Sequence, residues 1–387
     1  YEISLGLVGS EMCIRDRVRA RRIYPRVFTW PRADQVMLLG FPAYKVGMCT
    51  IYEKVLDKHS PFYGMERAVG ATVLEAPPIR IMAIRAYAST PLGYRSVTEV
   101  WTPNIFDFER KYLGRKFPLP KKIDEKKVEE KINKLRELVA DGIIDKIRVI
   151  VRTRPALTGI GKKKPELFEI EVGGSTDKAL EYAVSKLGKS VEITEVFKPK
   201  QFCDIIGVTK GYGFTGVVKR HGVQILPPKT KKERRKVGTL GPWTPGNVRY
   251  TVPRYGQYGF FRRTEYNKEI VQIIPLVSDK IEHEAFIEDE LKELKDRMKK
   301  LAKEYLNIDE SKLPKRFVIT LSPKGGWKHY GIIRNTVVII RGSVMGPPKR
   351  MVVLRHPIRP KRLIETQLTQ IWYSDEKLEP TIIELPA

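Results

Sequence analysis

The pattern of apolar and polar residues predicts β-structure in two separate regions of the chain. Residues 35–120 alternate short apolar runs with turn residues, as in ERAVGATVLEAPPIRIMAIRAY from Glu66, where β-branched residues flank Pro77-Pro78. Runs of this kind, bounded by turn residues, are typical of successive strands. Residues 315–362 contain two similar segments, IIRNTVVIIRGSV and KRMVVLRH, for which we also predict strands.

In residues 121–197 some apolar residues recur at helical spacing and others at strand spacing, which predicts a small α/β unit. A helix is predicted over 123–139 because its apolar residues recur at helical spacing and Asp141-Gly142 follow it. A second helix is predicted over 177–188, begun near Ser175 and ended by Gly188. Three strands are predicted around them, in IIDKIRVIVRTRP, LFEIEV and SVEITEVF.

Two further segments separate this unit from the second β region. Residues 198–270 have many Gly and Pro and little periodicity, so we predict an extension that a partner orders. Residues 271–314 predict a linker with an acidic amphipathic helix over 282–306, since apolar residues recur there every three or four positions. Packing on its own domain is favoured over a partner helix.

The ends of the chain differ in character. Residues 1–17, YEISLGLVGSEMCIRDR, are similar to translated adapter sequence, so we predict a non-native segment and expect the true N-terminus to be absent. Residues 18–34 are predicted to be a basic arm, because arginines alternate with aromatic residues and the first acid is Asp34. Residues 363–387 are predicted to be a C-terminal tail.

Net charge narrows the class of partner. The 387 residues carry 72 Lys and Arg against 45 Asp and Glu, a formal charge of +27. Residues 198–270 hold 16 of these bases and only 4 acids. Such a balance favours nucleic acid or an anionic membrane. The basic span lacks the amphipathic helix that a membrane surface requires, and no apolar run is long enough to cross a bilayer. Three scattered cysteines predict neither disulfides nor a zinc site.

Three short motifs resemble catalytic or ligand sites but lack the context for them. GYGFTGVV from Gly211 matches GxGxxG, but we expect the following VVKRHGVQILPP to be a strand instead of the helix that a dinucleotide site needs. AVSKLGKS approaches a phosphate loop with helix and strand in reversed order. His283-Glu284 begins HExxH, but Ile287 replaces the second histidine. We therefore predict no catalytic residue, metal, cofactor or small-molecule substrate.

Basic residues mixed with aromatics and glycines predict an RNA-binding protein. Cations neutralise phosphates, and aromatic rings stack on unpaired bases. Two alternatives stay open. An RNA-modifying enzyme would need a cofactor pocket and convergent titratable groups. A protein scaffold would leave the charge of residues 198–270 unexplained.

The motifs themselves resemble those of the L-three family of large-subunit ribosomal proteins, in its archaeal form. The resemblance is most specific in GVTKGYGFTGVVKR and VGTLGPWTPGNVRYTVPRYGQYGFFRRTEYNKEI, and it extends from about residue 18 to 362. It implies a mainly β fold: a translation-protein-like β-barrel with an α/β insertion and a long basic internal extension loop. Residues 35–120 and 315–362 would form the barrel, 121–197 the insertion and 198–270 the loop.

The resemblance also implies a structural role in the ribosome. The loop would run through large-subunit ribosomal RNA (rRNA) towards the peptidyl transferase centre, with Trp243 at its tip and Arg235 in its stem. The expected partners are rRNA and neighbouring ribosomal proteins, without a membrane, and the expected location is the cytoplasmic ribosome. Lys231, Tyr250 and YGQYGFFRR depart from the family pattern but are mostly basic or aromatic.

The predicted rRNA-binding residues are those whose charge or aromatic ring suits phosphate and base contacts. They are Arg19, Arg21, Arg22, Arg26, Lys210, Lys219, Arg220, Lys229, Lys231, Lys232, Arg234, Arg235, Lys236, Trp243, Arg249, Arg254, Arg262, Arg263, Lys268, Lys324, Lys328, His329, Lys349 and Arg350.

Overall fold

A computed structural model describes residues 18–105, 124–244, 246–278, 288–306, 317–362, 366–374 and 376–384. The predicted segment 1–17, Ile287 and the His283-Glu284 motif lie outside these ranges. The chain divides into two compact units. In the described ranges, the smaller unit comprises 18–25, 207–263 except 245, and 345–347, and the larger unit comprises the rest.

Strands dominate the secondary structure, and the prediction of a mainly β chain is confirmed. The strands are β1 (Gly40–Val55), β2 (Glu66–Glu75), β3 (Ile79–Thr90), β4 (Gly93–Trp101), β5 (Lys146–Arg152), β6 (Leu167–Glu171), β7 (Ser190–Val191), β8 (Gln201–Val208), β9 (Gly211–Thr215), β10 (Gly256–Gly259), β11 (Arg262–Ile274), β12 (Phe317–Thr320), β13 (Val337–Arg341), β14 (Met351–Arg355), β15 (Thr366–Tyr373), β16 (Glu376–Lys377) and β17 (Thr381–Glu384). The helices are α1 (Glu125–Ala140), α2 (Thr176–Ser185), α3 (Ile193–Val196), α4 (Val217–His221) and α5 (Glu288–Leu306).

Six strands close into a barrel. The order β14-β8-β11-β13-β2-β1 returns to its start because β1 also pairs with β14, with Gly40 opposite Arg355. Closure satisfies the hydrogen bonds of strand edges that would otherwise be open. The later part of β1 pairs with β15 over Thr50 to Val55. One edge of this 16-residue strand therefore pairs first with β14 and then with β15.

Two barrel strands come from the ends of the segment predicted to be an extension. β8 and β11 fall largely within residues 198–270, and Cys203, Ile205 and Ile206 are buried there. The short apolar run FCDIIGV is typical of a buried strand. It was predicted as part of the extension because the residues that follow it are strongly basic. The non-barrel part of this segment is therefore shorter than predicted.

A five-stranded sheet contains β4, β3, β5 and β6 in that order, with β7 beside β3. Residues 79–101 had been predicted in the barrel, but β3 pairs with β5 from Arg80 to Tyr87, so it belongs to the α/β layer. The three-residue break from Ala76 to Pro78 lets β2 and β3 enter different sheets. Helices α1 and α2 lie within two residues of the predicted start of each helix.

Residues 190–197 were predicted to be one strand, and this was wrong. Only Ser190–Val191 pair, after which α3 forms. The Glu192 carboxylate accepts from the backbone of Glu195, whose own carboxylate accepts from the Glu192 backbone. This capping box satisfies free N–H groups at the helix start and so favours a turn of helix over a strand.

The acidic helix packs on its own unit, as predicted. In α5, Leu301 and Ala302 are buried in the hydrophobic core with Val46, Val73 and Ile339, and Leu291, Leu294 and Met298 pack against it. The carboxylate of Glu290 accepts hydrogen bonds from the backbone and hydroxyl of Ser190 at 2.8 and 2.7 Å. Apolar burial and these polar contacts together fix the helix on the larger unit.

The residues predicted to be a C-terminal tail form strands. β15 pairs with β1, and β17 pairs with β12, with Val318 opposite Ile383. Because β-pairing depends on a distant partner strand, the tail gave no local signal of this role.

Buried ion pairs join barrel strands. The Arg355 guanidinium on β14 lies 2.7 Å from the Asp204 carboxylate on β8, and both side chains are almost fully buried. Asp204 also accepts from the backbone N–H of Asn267 at 3.0 Å and of Ile358 at 3.3 Å. Glu53 on β1, also buried, accepts from Arg67 on β2 and from Arg341 on β13, the strand beyond β2.

Candidate nucleic-acid interface

Cationic residues dominate the smaller unit. Residues 207–263 contain thirteen Lys and Arg and one acid, Glu233. Helix α4, at residues predicted to be strand-like, is a single turn that Gly222 ends with a φ of 70°. Glycine favours this left-handed conformation because it has no Cβ. The preceding strand β9 therefore leads into a short turn and not into a long helix.

Strands β9 and β10 form an antiparallel ribbon. Gly256 lies opposite Thr215 and Gln257 opposite Phe214, with a bulge before Gly259. A Cβ at Gly259 would approach the Lys210 carbonyl oxygen to 1.9 Å, so the backbone can pass here only at glycine. Gly259 of GQYG thus serves close backbone pairing, whereas Gly213 of GYGFTG has open space at its Cβ position and adopts a φ of 65°.

Aromatic side chains pack across this ribbon. Tyr212 and Tyr258 stack with centroids 5.2 Å apart, and the Lys219 ammonium lies 4.1 Å from the Tyr212 ring. Phe214 and Tyr255 lie 5.4 Å apart at a tilt of 56°. Tyr212 and Phe214 were not among the predicted site residues. Their alternation with glycine in GYGFT was the available signal, because alternate residues of a strand share one face.

The densest cationic segment is a loop that we call the lysine loop, residues 226–236. Its ends are joined by two hydrogen bonds between Leu226 and Arg234: the Leu226 amide to the Arg234 carbonyl at 3.0 Å, and the Arg234 Nε to the Leu226 carbonyl at 3.2 Å. Lys231 and Lys232 have φ values of 46° and 66°. Two successive left-handed lysines cost about 1 kcal/mol or more each, so the surrounding contacts must hold this shape.

All six predicted cations of the lysine loop are exposed: Lys229, Lys231, Lys232, Arg234, Arg235 and Lys236. The remaining predicted cations of this unit are also exposed, apart from the half-buried Arg254 and the buried Arg220. Two of them lie over rings, Arg19 at 5.4 Å from Phe260 and Arg263 at 5.1 Å from Phe261. The unit therefore presents charge and aromatic surface together.

Trp243 and Tyr250 are the most exposed aromatic side chains of the described residues, at 97% and 88%. A tryptophan normally buries most of its large surface in a folded protein. Surfaces of this kind mark interaction sites, so Trp243 and Tyr250 are suited to contact a partner.

Arg220 requires a correction to the predicted interface. Its side chain is buried at 5% exposure, and its guanidinium donates to the carbonyls of Gln257 at 3.1 Å and Arg254 at 2.8 Å. The Arg220 guanidinium thus joins α4 to β10 and to the segment before it. Sequence counting could not separate this structural arginine from the exposed ones around it.

The other predicted residues belong to the larger unit. Lys268 is half-buried, 3.1 Å from the Glu265 carboxylate, and donates to the Ser343 carbonyl. Arg350 is also half-buried, and burial lowers the pKa of its guanidinium. The others are exposed: Arg26, Lys324, Lys328, His329 and Lys349.

The described ranges contain no helix with the length and apolar character to cross a bilayer. Nor do they contain a group of three or more His, Cys, Asp and Glu side chains placed to hold a metal ion.

Known proteins are similar to this sequence over nearly its whole length. A sequence model described as "Ribosomal protein L3" matches residues 7–300 and 306–379. The chain belongs to the ribosomal protein L3 family. Large ribosomal subunit protein uL3 of Archaeoglobus fulgidus is 40% identical over 91% of this chain and 92% of its own length. The uL3 of Methanocaldococcus jannaschii is 41% identical over 91% of both chains.

The match includes the basic unit as well as the barrel. The uL3 of Pyrobaculum aerophilum is 40% identical over 95% of this chain and 97% of its own. The resemblance seen in the motifs is therefore confirmed over nearly the whole sequence, and the archaeal relatives agree with the archaeal form that those motifs indicated.

Proposed function

We propose that this protein is a structural constituent of the large ribosomal subunit that binds rRNA and supports subunit assembly. The proposed partners are rRNA and neighbouring large-subunit proteins, in cytoplasmic ribosomes. The exposed residues named above would form the rRNA interface, with Arg220 supporting it from within. In this proposal the basic loop extends towards the peptidyl transferase centre.

The observation that carries the proposal is the smaller unit, where thirteen cations accompany one acid and aromatic rings are exposed. Exposed cations at this density repel one another, and a polyanion relieves that repulsion. Aromatic faces add contacts to unpaired bases, which a purely electrostatic partner would not use. Family membership favours this structural role over the alternative of an RNA-modifying enzyme.

A salt series with large-subunit rRNA tests the proposal. Each phosphate that a cation neutralises contributes about −0.7 to the slope of log affinity against log salt for single strands, so six contacts give about −4. We expect a slope at least this steep, measured by filter binding of the full chain. A slope near zero, or equal affinity for an uncharged polymer of similar size, would contradict rRNA binding.

Replacing Trp243 by alanine should separate function from stability. Because Trp243 is 97% exposed, the free energy of unfolding should change by less than about 0.5 kcal/mol. Ribosomes that carry the variant should translate more slowly, since the ring is proposed to act at the loop tip. Leu92→Ala is a matched control, because Leu92 is fully exposed at 102% in the larger unit. Unaltered translation by Trp243→Ala ribosomes would overturn this role.

A further inference from the structure

A cavity of about 900 Å³ that is open to solvent lies in the smaller unit, against the lysine loop. Part of its lining is apolar and comes from Val217, Leu226, Val237, Leu240 and Tyr255. Another part is cationic and comes from Lys229, Lys231, Arg235, Lys236 and Arg254. Glu233 also lines the cavity, where its carboxylate lies 2.5 Å from the Lys236 ammonium. The lining therefore combines apolar side chains with a net positive charge.

The size and the lining suit one nucleotide. Pockets for small ligands measure about 300 to 1,000 Å³ and combine apolar walls with a few polar groups. Tyr255 supplies an aromatic surface that is 49% exposed, with Phe214 packed beside it at 5.4 Å. A base can stack on such a ring, and the adjacent phosphates can reach the lysines.

The shape of the cavity is held without a ligand. Besides the two bonds between Leu226 and Arg234, the Thr230 hydroxyl donates to the Pro227 carbonyl, and the Glu233 amide donates to the Thr230 carbonyl at 3.0 Å. These bonds span the left-handed turn at Lys231 and Lys232, and Lys231 lines the cavity together with Lys229. A preformed site loses less entropy when it binds.

We propose that this cavity receives a single unpaired, unstacked base of the bound RNA, stacked on Tyr255 with its flanking phosphates at Lys229, Lys231 and Lys236. The inference rests on the proposed function, since the base is delivered by the RNA that the unit binds. Charge complementarity selects RNA over a protein segment, because five cations and one paired acid line the site. A protein loop of ordinary composition would leave those charges unmatched.

The test uses the full chain and RNA hairpins with one bulged nucleotide, compared with the same hairpins in which the bulge is abasic. Stacking one base on a protein ring is worth about tenfold in affinity. We expect wild type to bind the base-containing hairpin about tenfold more tightly, with the same salt slope for both RNAs. Equal affinity for the two hairpins, with salt-steep binding retained, would overturn the base pocket and leave the proposed function standing. Weak binding of both, without salt dependence, would overturn both proposals.

Two tyrosines provide matched variants. Tyr255→Ala removes the ring in the cavity and should abolish the preference for the base, and Tyr255→Phe should keep it. Tyr63→Ala is the control, because Tyr63 is 54% exposed, lies in the larger unit and does not line the cavity. A preference that survives Tyr255→Ala, or disappears in Tyr63→Ala, would place the base elsewhere.

Discussion

Neutralising the lysine loop should reduce rRNA affinity by up to about a thousandfold at 0.15 M salt. The variant replaces Lys229, Lys231, Lys232, Arg235 and Lys236 with glutamine, and keeps Arg234 because it holds the loop closed. If each cation neutralises one phosphate, five losses make the slope of log affinity against log salt shallower by about 3.5, and the affinity falls accordingly. Filter binding to large-subunit rRNA across a salt series measures both quantities.

A control variant carries the same change in charge at another place. Lys126, Lys131, Lys134, Lys163 and Lys164 are exposed in the segment 124–197, where bases and acids nearly balance. Replacing these five with glutamine should change the slope by less than 1. Equal losses in the two variants would mean that affinity depends on net charge alone, against a localised interface in the lysine loop.

Replacing Asp204 by alanine should lower the free energy of unfolding by about 3 to 5 kcal/mol. The change removes the carboxylate that faces Arg355 at 2.7 Å and leaves a buried guanidinium without its anion. The backbone N–H groups of Asn267 and Ile358 also lose their acceptor. Denaturation by guanidinium chloride, followed by circular dichroism, measures the loss.

The double variant Asp204→Ala, Arg355→Met distinguishes a buried charge from lost packing. It removes both members of the pair, so it should be more stable than Asp204→Ala alone by more than 1 kcal/mol, since the uncompensated charge is gone. The contrary result, a double variant less stable than either single one, would show that packing and backbone bonds dominate at this site.

The pattern of residues within a segment predicted helices and strands better than it predicted which segments pack or pair together. The helix at α1 follows from the recurrence of Val128, Ile132, Leu135 and Val139, and the structure buries these four residues. The same reasoning failed at Ser190, where two glutamates form a capping box and shorten the predicted strand. The spacing of apolar residues indicates which face of a segment is buried. Hydrogen bonds from side chains to the backbone at the ends of the segment can favour a different backbone conformation.

Composition likewise predicted only part of the candidate site. Counting charges identified the lysine loop, whose six cations are exposed, but counted the buried Arg220 with them. The aromatic pairs of Tyr212 with Tyr258 and Phe214 with Tyr255 needed the register of the β9–β10 ribbon, which joins residues more than 40 positions apart. The cavity beside the lysine loop likewise depends on segments brought together by folding.

The amino-acid sequence by itself determined the mainly β class, the helices α1, α2 and α5, the family and the concentration of positive charge, because each depends on residue type and short-range spacing. Tertiary structure alone decided that β1 and β14 close the barrel, that β3 joins the α/β sheet, and that the final strands pair with β1 and β12. Strand pairing depends on the burial and hydrogen bonding between segments that are far apart in the sequence. The free energy of these interactions cannot be predicted from the residues of one segment alone.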